Sequence, residues 1–90
     1  MKIDGIRKKW FGKIEYCRNV YEPTNIPIIG GIAEAIQSDS WSTAGNFYLI
    51  DDYIYGDGSS PSIVGDDNEP CGVHLDFSSR NFRYYKLSRK

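Results

Sequence analysis

Residues 28–40 read "IIGGIAEAIQSDS", and whether they form a helix or a strand decides the fold class. Ile29, Ile32, Ala33 and Ile36 recur at i, i+3, i+4 and i+7, the spacing that lines one face of an amphipathic helix. Thr24 or Asn25 stands upstream as a capping residue. Against a helix stand Gly30 and Gly31, each costing roughly 1 kcal/mol relative to alanine in a helix interior. Ile32, Glu34 and Ile36 also alternate, which suits a strand. The spacing predicts a short helix over residues 28–37, with a strand as the alternative.

Outward from this stretch the chain reads as sheet and loop. "KKWFGKIEYCR" (8–18) suits a strand, because Ile14 and Tyr16 alternate with Glu15 and Cys17 and aromatic residues favour a half-buried sheet. "NVYEPTNIP" (19–27) carries two prolines within five residues and reads as a loop. "SDSWSTAGN" (38–46) is rich in turn residues, and "FYLIDDYIY" (47–55) is the strongest strand signal in the chain. Within it, the Asp51–Asp52 pair marks either a tight turn or an exposed edge. "GDGSSPS" and "GDDNEP" are loops around a short apolar piece, and residues 72–77 and 82–87 read as the arms of a β-hairpin. The expected class is α+β: one domain over residues 1–90, a mostly antiparallel sheet of four or five strands with one short helix, and all-β as the alternative.

The charge layout is more informative than the formal net charge of −1. Residues 1–18 hold six basic side chains against two acidic ones, and residues 77–90 hold five basic and no acidic ones. Between them, residues 19–76 hold ten carboxylates and no Lys or Arg. Ordinary chains mix both signs, with about a quarter of residues charged. If the first and last segments are sheet neighbours, the molecule has a basic, aromatic patch apart from an acidic middle.

Cys17 and Cys71 allow at most one disulfide, too few for a disulfide framework, so reduced thiols are expected. The first sixteen residues carry charges where a signal peptide needs an apolar stretch, and no apolar window is long enough to span a membrane. These features lead to the expectation of a cytoplasmic protein with no membrane partner.

No motif carries chemistry. His74, the lone histidine, shares a strand face with Asp76 but not with Cys71, and no nucleophile signature accompanies it. Cys71 and His74 make one ligand pair without a second, and "DDYIYGDG" (51–58) puts tyrosines where a calcium loop needs oxygen ligands. The Gly30–Gly31 pair has no phosphate-loop lysine. The expectation is therefore a protein without enzymatic activity, metal or cofactor.

Binding remains. Asp51, Asp52, Asp57, Asp66, Asp67 and Glu69 are the candidate partner-binding carboxylates, with Tyr53 and Tyr55 beside them as aromatic contact residues. Clustered carboxylates steer a small protein onto a basic cleft, the kind that nucleases and other nucleic-acid enzymes carry. In size and charge layout the chain resembles immunity proteins of nuclease toxins and phage proteins that block host defence enzymes. That resemblance implies an inhibitor of a basic partner protein. The alternative is a nucleic-acid-binding module in which "KKWFGK" (8–13) and "RNFRYYK" (80–86) interleave cations and rings, as stacking on a positive groove requires.

Overall fold

Residues 28–40 contribute a strand, not a helix: β5 (Ile32–Ala35) lies in the interior of a sheet, between β6 (Phe47–Leu49) and β9 (Phe82–Leu87). The computed structural model describes residues 2–38, 42–73 and 82–88. The remaining strands are β1 (Lys2–Ile3), β2 (Arg7–Lys8), β3 (Ile14–Tyr16), β4 (Asn19–Thr24), β7 (Ser62–Val64) and β8 (Pro70–Gly72). Seven strands form one antiparallel sheet in the order β1-β6-β5-β9-β4-β3-β2, and β7 pairs with β8. Strands make up 43% of the described residues, which contain no α-helix, only a single 3-10 turn at Trp10–Gly12. The α+β expectation with four or five strands is thus overturned in favour of the all-β alternative.

The helical spacing misled for a physical reason. Side chains alternate faces along a strand, and here both faces of the sheet are covered. Ile32 packs with Tyr85, Ile14, Tyr21 and Ile3 on one face, flanked by Phe47, Leu49, Ile6 and Tyr16. Ala33 and Ala35 pack with Tyr48, Ile50, Phe82 and Tyr84 on the other, where Ile63, Val73 and Cys71 from the β7–β8 region cover them. A strand buried on both faces loses the polar alternation that announces it, and the remaining apolar run mimics helical periodicity.

Gly31 fits the same picture. A Cβ there would lie 2.4 Å from the Tyr85 carbonyl oxygen and 2.9 Å from that of Ile28, so only glycine lets the chain enter β5 against β9. The ladder runs on past the strand end: Gly30 N–H donates to the Ile50 carbonyl at 2.9 Å, and Ile50 N–H donates to that of Gly31 at 3.0 Å.

The sheet curls. β1 and β2 are its two outermost strands, yet only Asp4, Gly5 and Ile6 separate them. Four Cα steps reach at most about 14 Å, so the edges must approach each other. The bend falls at Gly5, whose φ of 81° is open to glycine at no steric cost. The face shared by Ile3 of β1 and Ile14 of β3 is therefore the inside of the curl. Contacts across it confirm the closure: the Lys8 ammonium sits 3.3 Å from a Glu34 oxygen and 5.2 Å from the centre of the Phe47 ring.

"NVYEPTNIP", expected as a loop, supplies β4. Its Pro23 is tolerated because β4 outruns β3, whose pairing with β4 ends at Ile14↔Tyr21. Pro23 keeps a partner only in β9, at Tyr85, and occupies what is locally an edge. "FYLIDDYIY" is shorter as a strand than expected, since the chain leaves the sheet at Asp51. The last strand is not a neighbour of the first: β9 pairs with β4 and β5, so the expected basic patch from paired termini does not form. The first arm of the expected hairpin falls largely in residues 74–81, outside the described residues, as do His74 and Asp76. Among the described residues no helix is long and apolar enough to cross a membrane.

Two glycine substitutions separate packing from backbone freedom. Gly31→Ala forces a Cβ into two carbonyls and is expected to destabilise by about 2 kcal/mol or more. Gly5→Ala meets no atom within 4 Å and suffers only the left-handed backbone, about 1 kcal/mol. Urea denaturation of both variants checks the order; equal losses would contradict the close approach of Gly31 to β9.

Candidate functional site

The acidic stretch becomes a closed loop. Asp51 and Ser62 form an antiparallel bridge, with Asp51 N–H donating to the Ser62 carbonyl at 3.0 Å and Ser62 N–H donating back at 2.8 Å. The buried Ser62 hydroxyl accepts the Tyr53 N–H at 2.8 Å and donates to the Asp51 carbonyl at 2.8 Å. Residues 52–61 therefore leave and re-enter the fold at one point.

Inside this loop lies Asp52, only 7% exposed. One carboxylate oxygen accepts the Ile54 and Tyr55 N–H groups at 3.1 and 2.8 Å, and the other accepts those of Ser59 and Ser60 at 3.0 and 3.1 Å. A carboxylate with several backbone donors is stabilised in its charged form. The Tyr55 N–H contributes most, against the opposing effect of burial, and the group is held far below the usual carboxylate range. Asp52 was expected among the partner-binding carboxylates; the structure instead places it as the hub that shapes the loop.

The tip of the loop faces solvent. Ile54 is exposed, Tyr55 is 73% exposed, and Asp51 and Asp57 are exposed beside them. Asp57 accepts the Ser59 N–H and hydroxyl, which fixes the second half of the loop. Tyr53 is half-buried with its hydroxyl on the Leu49 carbonyl at 3.3 Å, so it belongs to the base of the loop.

Asp66, Asp67 and Glu69 sit elsewhere, on the turn between β7 and β8. Asp66 accepts the Tyr48 hydroxyl at 2.8 Å and the Thr43 hydroxyl at 2.7 Å, pinning this turn to the segment before β6. The Thr43 and Tyr48 hydroxyls lower its pKa, burial opposes them, and the Lys2 charge adds to the lowering. Asp67 accepts the Glu69 N–H at 3.0 Å and remains exposed, as does Glu69. The structure therefore brings Asp51, Asp52, Tyr53, Tyr55 and Asp57 into one loop and leaves the other three carboxylates at the far end of β7.

One feature escaped the sequence, and a second was read there only as half of a surface shared with the last strand. Glu34, half-buried on the inner face, accepts the Tyr85 hydroxyl at 2.7 Å and lies 3.3 Å from Lys8 and 3.9 Å from Arg83. Burial, the bond to Glu34 and the Glu34 charge push the Tyr85 phenol up to about 12. Only the register that seats Glu34 opposite Arg83 reveals this cluster. The second is the 3-10 turn between β2 and β3, where Trp10 is 82% and Phe11 89% exposed. Phe82, Tyr84 and Tyr85, by contrast, are buried in the two cores, so the C-terminal segment offers no stacking surface. No disulfide joins Cys17, exposed on the β3–β4 turn, to Cys71 on β8. Among the described residues no three His, Cys, Asp or Glu side chains gather as metal ligands.

The Asp52 hub has a pH signature. A carboxyl whose folded pKa is depressed stabilises the fold above its ordinary value of 3.8 and withdraws that stabilisation as pH falls below it. Asp52→Asn, which turns an amide N–H2 towards donors, should lower the melting temperature at neutral pH, and the gap to the wild type should narrow between about pH 4 and pH 2. Thermal melts across that range check this; a gap independent of pH would assign the loss to packing.

Comparison with known proteins finds no matching family model, no matching curated protein and no matching solved structure.

Proposed function

We propose that the chain is a stoichiometric binding protein that docks the 51–60 loop into a basic site on a partner protein such as a nuclease, with no catalytic step of its own. The observation that carries this reading is the combination of a fixed backbone with an exposed apolar tip. Four N–H groups converge on the Asp52 carboxylate while Ile54 and Tyr55 point to solvent. Exposed apolar side chains on a floppy loop lose ordering entropy on binding, and a loop already held in shape loses far less.

The charges support the same reading. Asp51 and Asp57 border the exposed Tyr55, and the sequence from 19 to 76 holds no Lys or Arg to offset them. Such a loop attracts a basic surface and presents an aromatic anchor to it, with carboxylates placed for charge-assisted hydrogen bonds to Arg and Lys. Asp66, Asp67 and Glu69 add to the long-range field from a separate turn. Phage and toxin-immunity inhibitors of nucleic-acid enzymes are the functional type in view.

The test compares three baits in a pull-down at low and high salt. Tyr55→Ala should weaken capture of a basic protein by about ten-fold or more. Asp51→Asn with Asp57→Asn, which removes both charges but keeps the oxygens that accept the Asp52 and Ser59 N–H groups, should weaken it mainly at low salt, where steering matters. Both variants leave the backbone donors of the loop satisfied and should melt within a few degrees of the wild type, whereas reversal at Asp52 would break the loop itself. Equal capture by all three baits refutes the loop as the interface.

A further inference from the structure

The geometry points to the β2–β3 hairpin as a binding site for single-stranded nucleic acid, with a phosphate seated between Arg7 and Arg18 and a base stacked on Trp10 or Phe11. This surface is separate from the 51–60 loop and does not depend on it. Two large rings at the tip of a hairpin, each more than four-fifths exposed, are anomalous in a chain that buries Phe82, Tyr84 and Tyr85. Flat π-faces are what bases stack on, whatever their sequence.

Left-handed backbone concentrates in the same place. Four non-glycine residues among those described have it, and three of them belong to this hairpin and the turn after it: Phe11 (φ 59°), Cys17 (φ 51°) and Arg18 (φ 68°). At Cys17 and Arg18 it suits the two-residue turn between Tyr16 and Asn19. At Phe11, a bulky residue on the tip, it is an outlier.

Charge chooses the partner. Residues 7–18 carry Arg7, Lys8, Lys9, Lys13 and Arg18 against Glu15 alone, a balance of +4. Arg7, Arg18, Glu15, Cys17 and Gly5 line an open cleft of about 320 Å³. Two guanidinium groups at one cleft suit a phosphate, which they can bind in bidentate fashion. Glu15 is the carboxylate in that cleft, and it is already engaged by Lys9 at 3.4 Å. Arg7 and Trp10 lie three residues apart, about 10 Å along an extended chain, a span that one nucleotide and its neighbouring phosphate can bridge.

The ring-bearing tip lies away from the 51–60 loop, whereas Arg18, at the other end of β3, lies towards the end of the sheet that carries it. β1 runs antiparallel to β6, pairing Lys2 with Tyr48 and Ile3 with Phe47. The chain thus advances towards Lys8 and the hairpin tip in the direction opposite to that in which β6 advances towards Asp51. The hairpin tip and the acidic loop lie towards opposite ends of the strands.

Fluorescence anisotropy of labelled oligothymidine and oligouridine, titrated with the purified protein between about 50 and 200 mM salt, tests the inference. Wild type should bind both, with log affinity falling linearly against log salt. Trp10→Ala with Phe11→Ala should lower affinity by about ten-fold or more and leave the salt slope intact, while Trp10→Tyr should retain most of it. Arg7→Ala with Arg18→Ala should weaken binding and flatten the slope by roughly 1. The thermal melts of all these variants should stay close to that of wild type. No oligonucleotide binding at low salt overturns the inference, and so does full affinity in the ring double variant. Co-sedimentation with phosphatidylserine vesicles in place of oligonucleotide binding also overturns it, assigning the tip to an anionic membrane surface.

Discussion

A connector of three residues, Asp4 to Ile6, joins the two outermost strands of a seven-stranded sheet, and much of the architecture depends on that short tether. Because the edges cannot separate, the sheet must curl, and curling creates an inside face where Ile3, Ile14, Tyr21, Ile32 and Tyr85 leave water together. Full burial of an isoleucine side chain contributes on the order of 2 kcal/mol, so this face alone accounts for a substantial part of a small protein's stability. The two outermost strands are two residues each, too short to offer the long unpaired edges through which sheets aggregate. The outer face would remain wet and apolar were it not covered by β7 and β8, which the Asp51–Ser62 bridge brings back onto it.

Acidic residues in this chain divide by environment more than by position. Asp51 and Asp52 are adjacent, yet one is exposed and the other is enclosed by four backbone donors. Glu34 bridges strands from inside the curl, and Asp66 ties one loop to another. Their common property is that each satisfies donors which an apolar interior cannot. The field that the middle of the chain projects comes from the remainder, chiefly Asp51, Asp57, Asp67 and Glu69, whose side chains reach solvent.

The sequence made some of this legible. Ile14 and Tyr16 announced β3 by alternation, and the aromatic run from Phe47 announced β6. Residues 82–87 were read correctly as a strand but not as one in the sheet interior, because nothing local specifies the partners of a strand. Residues 28–37 were misread because burial on both faces erases the alternation on which such readings rest. Pro23 argued for a loop, and only the unequal lengths of β3 and β4 show why a strand tolerates it. At the candidate site, the acidity was legible from composition, but the loop was not, because residues 51–55 were read as the end of a strand. Nor was the role of Asp52, since two neighbouring aspartates look alike until one turns inward. Trp10 and Phe11 were read as half of a stacking surface, but so were Phe82, Tyr84 and Tyr85, because in sequence a ring destined for a core and a ring destined for solvent are the same ring.

β9 is the last of the described strands and lies in the middle of the sheet, where its partners Tyr21 and Ile32 come from far earlier segments. Its order of arrival constrains assembly. A chain emerging from the ribosome can close the β3–β4 and β5–β6 hairpins early, since each pairs neighbours in sequence. The two halves then wait, each with an open edge and an uncovered apolar face, until residues 82–87 arrive to join them. Contacts of such long sequence separation make for slow, late consolidation. The position of one strand thus makes the arrival of residues 82–87 the step that commits the whole sheet to fold.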